Sequence, residues 1–365
     1  MAENKNQHFV PRIHLRPFTV NGEGLAINLF NLDRMKAIPN APVRNQCSGD
    51  YFYGQNRLLE NAINFIEDPY GPIVRHLSEG SAVGSAVKIV LKRFVYLQYM
   101  RTEAASRKAS EMALAIHDVP GSDLPVPTVR EASKEAVKAA MLHYKDTMRI
   151  VDDLTLCIVR NRTGLPFFTS DDPAILTNRL HIQRPRRVGS SFGVNTAGAV
   201  FLLPLSPTLC AILYDGAVYS SDHRAHWIEV DRRQDIEALN VHQILGCWAN
   251  IYFREWDGRD QVATQAAATK PGRPEARHTI TQAVLEKTSD WGEYYAVRKP
   301  TDIRNGEKVL VHVTTNHPVP DAWPSFLRFR ANGHAYSNDT GAGLTRRWCL
   351  EQGFVQGNGY RKIAI

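Results

Sequence analysis

Apolar residues in the first part of this chain recur at helical spacing, and from Leu154 onward they fall in short unbroken runs. That one-way switch limits the fold more than any other feature, because alternating strand–helix units would repeat it many times. Leu58, Leu59, Ala62, Ile63 and Ile66 mark a helix over 57–66, and a short one restarts over 73–77 after Pro69 and Pro72. The pattern predicts the longest helix over 83–117 and another from Thr128 to about Val151, with Glu131 at its favourable N-terminal end. Beyond it, the runs 154–159, 166–171, 199–205 and 209–214 predict strands, the last two joined antiparallel through Ser206-Pro207-Thr208. Helical spacing returns over 236–253.

Ahead of the helical block, the turn signal Asn21–Gly24 introduces a strand over 25–32, and residues 36–50, with two prolines and a glycine, read as loop. The expected class is therefore α+β: an N-terminal helical block, a mostly antiparallel sheet and a closing helix, with a small C-terminal α/β appendage. The domain reading is 1–256 for the main α+β unit, 257–285 for a polar linker or long loop, and 286–365 for an add-on. The add-on carries strand candidates at 294–297 and 309–313 and a last helix within 340–352.

With 365 residues, 43% hydrophobic, the chain can bury a core without disulfides or metals. Cys47, Cys157, Cys210, Cys247 and Cys349 are odd in number and never paired as C-x-x-C, which fits reduced, buried thiols and a cytoplasmic location. The N-terminal segment lacks the basic-then-apolar pattern of a signal peptide, and no run approaches about 18 apolar residues, so no membrane partner is expected. A net charge of +7 is compatible with an anionic partner without requiring one. Phosphate-loop, dinucleotide-binding, zinc-protease, EF-hand, nucleophile-elbow and zinc-finger motifs are absent, which disfavours the familiar enzymes built on them.

Four separated segments carry a resemblance. They are Gln7-His8-Phe9-Val10-Pro11 with Leu15, Arg16 and Phe18; the Glu60–Glu67 helix after Tyr51-Phe52-Tyr53; Gln98-Tyr99-Met100-Arg101-Thr102; and Phe168-Thr169-Ser170-Asp171-Asp172-Pro173, followed by Pro204–Pro207 and Leu239-Asn240. In order and spacing the series resembles the bacterial domain-of-unknown-function family four-two-three-eight, whose members begin with a Gln-His-Tyr-Val-Pro-like signature. The resemblance covers about residues 5 to 255. Phe9 stands where tyrosine is usual, and Asp172 where asparagine is expected. The family brings no established activity.

The ionisable residues in these segments are the site candidates. His8, near Arg12 and Arg16, has the chemistry of a general acid or base, and the arginines that of phosphate binders. Gln98 and Arg101 share a helix face, and a guanidinium in so apolar a stretch needs a partner, for which Glu60 or Glu67 is expected. Asp171 ends a strand and is a candidate metal ligand or base, or simply an Asx turn. The basic run 179–187, with Arg184, Arg186 and Arg187, is a candidate grip on a nucleic-acid backbone.

The preferred reading is a hydrolase acting on a phosphate-containing substrate such as nucleic acid or a nucleotide. In it His8, Glu60, Gln98, Arg101 and Asp171 meet in one cleft, with a divalent cation such as magnesium on Glu60 or Asp171. The competing reading is a non-enzymatic binding or interaction protein, for instance in a bacterial defence or stress system, where the same residues are structural pins.

Overall fold

The computed structural model describes residues 6–50, 52–53, 57–117, 128–184, 191–290, 292–340 and 343–365. Helices and sheets are both present, consistent with α+β. The first strands are β1 (Asn6–His8), β2 (Ala26–Asn31), β3 (Lys36–Pro42) and β4 (Ser48–Asp50), with a one-turn helix α1 (Arg12–Leu15) after β1. The helical block follows as α2 (Arg57–Glu67), α3 (Tyr70–Ser78), α4 (Ser85–Arg101), α5 (Glu103–His117) and α6 (Val129–Thr147). Then come β5 (Thr155–Asn161), β6 (Thr169–Ser170), β7 (Ile175–Thr177), α7 (Arg179–Gln183), β8 (Val200–Ser206), β9 (Leu209–Tyr214), β10 (Tyr219–Ser220), β11 (Trp227–Val230), α8 (Arg233–Gly246) and β12 (Asn250–Phe253). The remainder forms α9 (Arg259–Thr269), β13 (His278–Ser289), β14 (Gly292–Arg298), β15 (Val309–Thr315), β16 (Arg328–Phe329), β17 (His334–Ser337), α10 (Arg347–Glu351) and β18 (Arg361–Ala364).

A five-stranded sheet in the order β11-β5-β9-β8-β7 organises the centre; it is antiparallel except for the parallel pair β11–β5. Side chains alternate across a strand. Thus Cys157, Val159, Leu202, Cys210 and Ile212 enter one core, towards α8. Leu156, Ile158, Phe201, Leu203 and Leu213 enter a second, under the helical block. Because both faces are covered, every residue of β8 and β9 is buried, which is why these strands read as unbroken apolar runs.

The region of the second sheet, β3-β2-β12-β6, corrects two expectations, and the helical block a third. Residues 36–50 hold β3 and β4 where a loop is expected: β3 is an edge strand, and Pro39 sits at a register shift beside Asn40 (φ 52°), so its missing N–H breaks no ladder. The helix expected over 236–253 stops at Gly246, and Asn250–Phe253 pairs with β2 and β6 as a strand. The long helix expected over 83–117 breaks at Thr102, whose ψ of 162° ends α4 and whose hydroxyl accepts the Ala105 N–H at 3.3 Å, capping α5. At the next helix start, Thr128 and Glu131 form a reciprocal capping box.

Residues 257–285, expected as linker or loop, contain α9 and the first part of β13. Val262 and Ala266 of α9 are buried in the sheet core, so small residues read as polar linker in fact form a packed face. Further on, β13 pairs with β14 and β15, and β16 pairs with β10. Arg346 reaches under the helical block, where it pairs with Asp153 and donates to the carbonyls of Ile150 (2.7 Å) and Val194 (2.8 Å); nearby Cys349 is fully buried in the same core.

Candidate functional site

Strand β1 carries His8 into a cleft of about 320 Å³, lined also by Arg12, Tyr53, Asn64, Glu67 and Asp68. The imidazole bonds the Val43 backbone, while its Nε2 is buried without a hydrogen-bond partner among the described residues. Burial lowers its pKa, and the charges of Arg12 and Arg101 act in the same direction, against the Val43 bond and Glu67. Behind the cleft wall Arg101 is 1% exposed. It pairs with Glu67, and its Nε and one Nη donate to Gln98 Oε1 at 3.0 and 2.9 Å. Gln98 Nε2 in turn donates to the Phe9 carbonyl at 2.9 Å, so α4 clamps the N-terminal segment. Of the two carboxylates expected for Arg101, Glu67 is the partner. The side chain of Glu60 lies outside the described residues.

Arg12 is exposed at the His8 cleft, whereas Arg16 turns to a neighbouring cleft with Pro17 and Arg75. The Arg184 guanidinium lies 4.5 Å from the centre of the Phe329 ring, and Arg186 and Arg187 lie outside the described residues. Sequence reasoning passed over His14, which is fully buried between the Tyr70 hydroxyl (Nδ1, 2.8 Å) and Thr169 Oγ1 (Nε2, 3.0 Å). Burial, with Arg101 nearby, pushes its pKa down to about 3, so the ring is neutral.

Among the described residues, Asp171 is hydrogen-bonded through its carboxylate by backbone N–H groups. Its carboxylate accepts the N–H groups of Trp248 (2.7 Å), Ala249 (2.8 Å) and Asn250 (2.8 Å), the connection from α8 to β12. Burial lifts it to about 6, against those three bonds and the charge of Arg277.

Asp172 points elsewhere. It lines a cleft of about 490 Å³ between α5, α6 and the segment leading into β13, walled by Ala105, Ala109, Ala136 and Ala140 with Met100 and Leu245. Thr102, freed by the helix break, bonds this carboxyl, while Asp172 Oδ1 is buried and has no hydrogen-bond partner among the described residues. Burial is the largest effect on the group and raises it to about 7, opposed by Arg277 and the Thr102 bond. Tyr99 shares the lining, its phenol raised by burial and by the Asp172 charge. Two guanidinium groups stand beside them. Arg277 donates to the carbonyls of Gly246 (3.1 Å) and Cys247, and Arg273 donates to those of Cys247 (2.9 Å) and Trp248 (2.8 Å). An apolar concavity with a few convergent polar groups and a strongly shifted carboxyl has the anatomy of a ligand site.

All five cysteines are buried and free. Among the described residues, no group of three or more His, Cys, Asp or Glu side chains is arranged to hold a metal ion, and no helix is long and apolar enough to cross a membrane.

No curated protein and no solved structure matches this chain. Residues 6–257 match the family described as protein of unknown function (DUF4238), and the chain belongs to that family.

Proposed function

We propose that this member of a family without an assigned activity is a small-molecule binding protein whose ligand occupies the Asp172 cleft. One observation carries the reading: Asp172, Tyr99, Arg273 and Arg277 converge on an alanine-walled concavity of about 490 Å³. The small side chains on α5 and α6 favour the same reading, because larger ones would fill the space. The test is thermal unfolding against a panel of small apolar compounds, using wild type and Ala105→Trp, which narrows the cleft from one wall. Compounds that raise the wild-type midpoint and leave folded Ala105→Trp unmoved support the proposal. A panel that moves neither protein overturns it.

A hydrolytic reading, on a phosphate-containing substrate such as nucleic acid, has a separate observation in its favour. His8 lines a cleft that also offers the exposed Arg12 and the carboxylate of Glu67. In that reading His8 is the general base, Arg12 an anion contact, and Gln98, Arg101 and Asp171 hold the surrounding chain in place. Cleavage of labelled DNA or RNA with magnesium or manganese, lost in His8→Ala, supports it. Absence of cleavage by the wild type counts against it for those substrates.

A further inference from the structure

The two kinds of wall in the Asp172 cleft narrow what it accepts, and this step rests on the binding-site reading above. Ala105 and Ala109 of α5, and Ala136 and Ala140 of α6, stand one helical turn apart on their helices. These walls are therefore apolar strips that run lengthwise. The wall from the segment before β13 carries Arg273 and Arg277 instead, and neither is buried. A guanidinium has five N–H donors. Among the described residues each of these two makes two hydrogen bonds, to carbonyls at the end of α8, which leaves three donors apiece. The Arg277 guanidinium also lies 4.9 Å from the centre of the Trp248 ring, which steadies it. Donors already held in place lose little freedom when an acceptor arrives.

The charge balance sets the head group. Asp172 is the one carboxylate among the described lining residues, and it faces Arg277. Asp171 faces Arg277 too, but it lies outside the lining and its carboxylate accepts three backbone N–H groups. Arg107 approaches the same indole at 4.8 Å and is paired with Glu103. The lining arginines therefore carry one unmatched positive charge even when Asp172 is ionised. His143 and His278 stand in the same lining and add no negative charge.

We infer that the ligand is an elongated monocarboxylic acid bound as its anion, with the carboxylate on Arg273 and Arg277 and the apolar body along the alanine strips of α5 and α6. A carboxylate matches the parallel N–H pair of a guanidinium, and such charge-assisted bonds are the strong ones. A neutral head would leave those donors without a charged acceptor. A doubly charged head would bring more negative charge to Asp172 than the arginines leave unmatched.

The experiment measures binding of decanoate, 1-decanol and decyl phosphate to the full chain by equilibrium dialysis at neutral pH. The three share one chain length and differ in the head. Wild type is expected to bind decanoate at least roughly tenfold tighter than decanol, the size of one charge-assisted hydrogen bond. Ala105→Trp is expected to weaken both, and Arg273→Gln with Arg277→Gln to abolish the preference. Equal binding of decanoate and decanol by wild type, weakened in Ala105→Trp, would overturn the carboxylate inference while leaving the cleft as a binding site. So would tighter binding of decyl phosphate than of decanoate, or a preference that survives the arginine changes. Decanoate binding that folded Ala105→Trp retains in full would place the acid on another basic surface and overturn the inference. Binding of none of the three would remove the binding-site reading and this inference with it. If the arginine variant does not fold, wild type and Ala105→Trp decide.

Discussion

Asp171 and Asp172 are neighbours in the chain with opposite bonding: three backbone amides converge on the first, while one oxygen of the second has no hydrogen-bond partner among the described residues. One carboxyl fixes the α8–β12 connection, and the other faces an apolar cleft.

Asp171→Ala leaves three N–H groups without their acceptor. The expected loss is about 3 kcal/mol or more, with Asp171→Asn intermediate because one acceptor oxygen remains. Urea denaturation measures both. An alanine variant within about 0.5 kcal/mol of wild type would show that the connection does not depend on this carboxylate.

Asp172→Asn is expected to stabilise the protein at alkaline pH. The folded carboxyl is raised to about 7, mainly by burial, so the folded state binds more protons than the unfolded state above the ordinary aspartate value of about 3.9. Wild-type stability from this group is therefore full below about pH 3.9 and is lost as pH rises through about 7. The asparagine variant escapes that loss, a gain on the order of 2–4 kcal/mol at about pH 8 that vanishes towards about pH 4. A constant difference between the two proteins across that range would contradict the assignment.

The Glu67–Arg101 pair gives an asymmetric result. Glu67→Ala leaves the buried guanidinium with Gln98 and Tyr53 as its bonded partners among the described residues and is expected to cost about 3 kcal/mol. The double change Glu67→Leu with Arg101→Met removes the stranded charge and should recover a large part of that loss. Chemical denaturation of the two single variants and the double variant completes the cycle, and strict additivity would mean the pair is not coupled.

His14 opposes acid stability. Its folded pKa lies near 3, below the unfolded value of about 6.5, so its contribution is full above about 6.5 and is lost as pH falls towards 3. From about pH 7 to about pH 5 it should remove about 2 kcal/mol, a loss that His14→Gln lacks. Parallel pH profiles of wild type and variant would show that His14 is not the group responsible.

How far the sequence could be read follows from how local each signal is. The run Leu209–Tyr214 matches its strand because both faces of the sheet are buried and no period has to be judged. The need of Arg101 for a carboxylate was legible from its apolar neighbours, and Glu67 meets it. The break at Thr102 was not, because neither proline nor glycine marks it; the one trace is a threonine followed by Glu103, a cap and first-turn acid inside an otherwise helical run. Asp172 was noted in the sequence only as a departure from the family pattern. Its significance comes from Thr102, Arg277 and the alanines of α5 and α6, which only the tertiary fold brings around it. His14 was missed for a similar reason, since Tyr70 and Thr169 lie far from it in the chain.

Arg346 and Cys349 have a consequence for synthesis. Their places lie in a body most of whose other members leave the ribosome first. Until they emerge, Asp153 lacks its cation and the carbonyls of Ile150 and Val194 lack their donor. A nascent chain halted before residue 346 therefore carries an unclosed apolar seam, the kind of surface that chaperones hold and proteases cut. Insertion of Arg346 and Cys349 closes that seam.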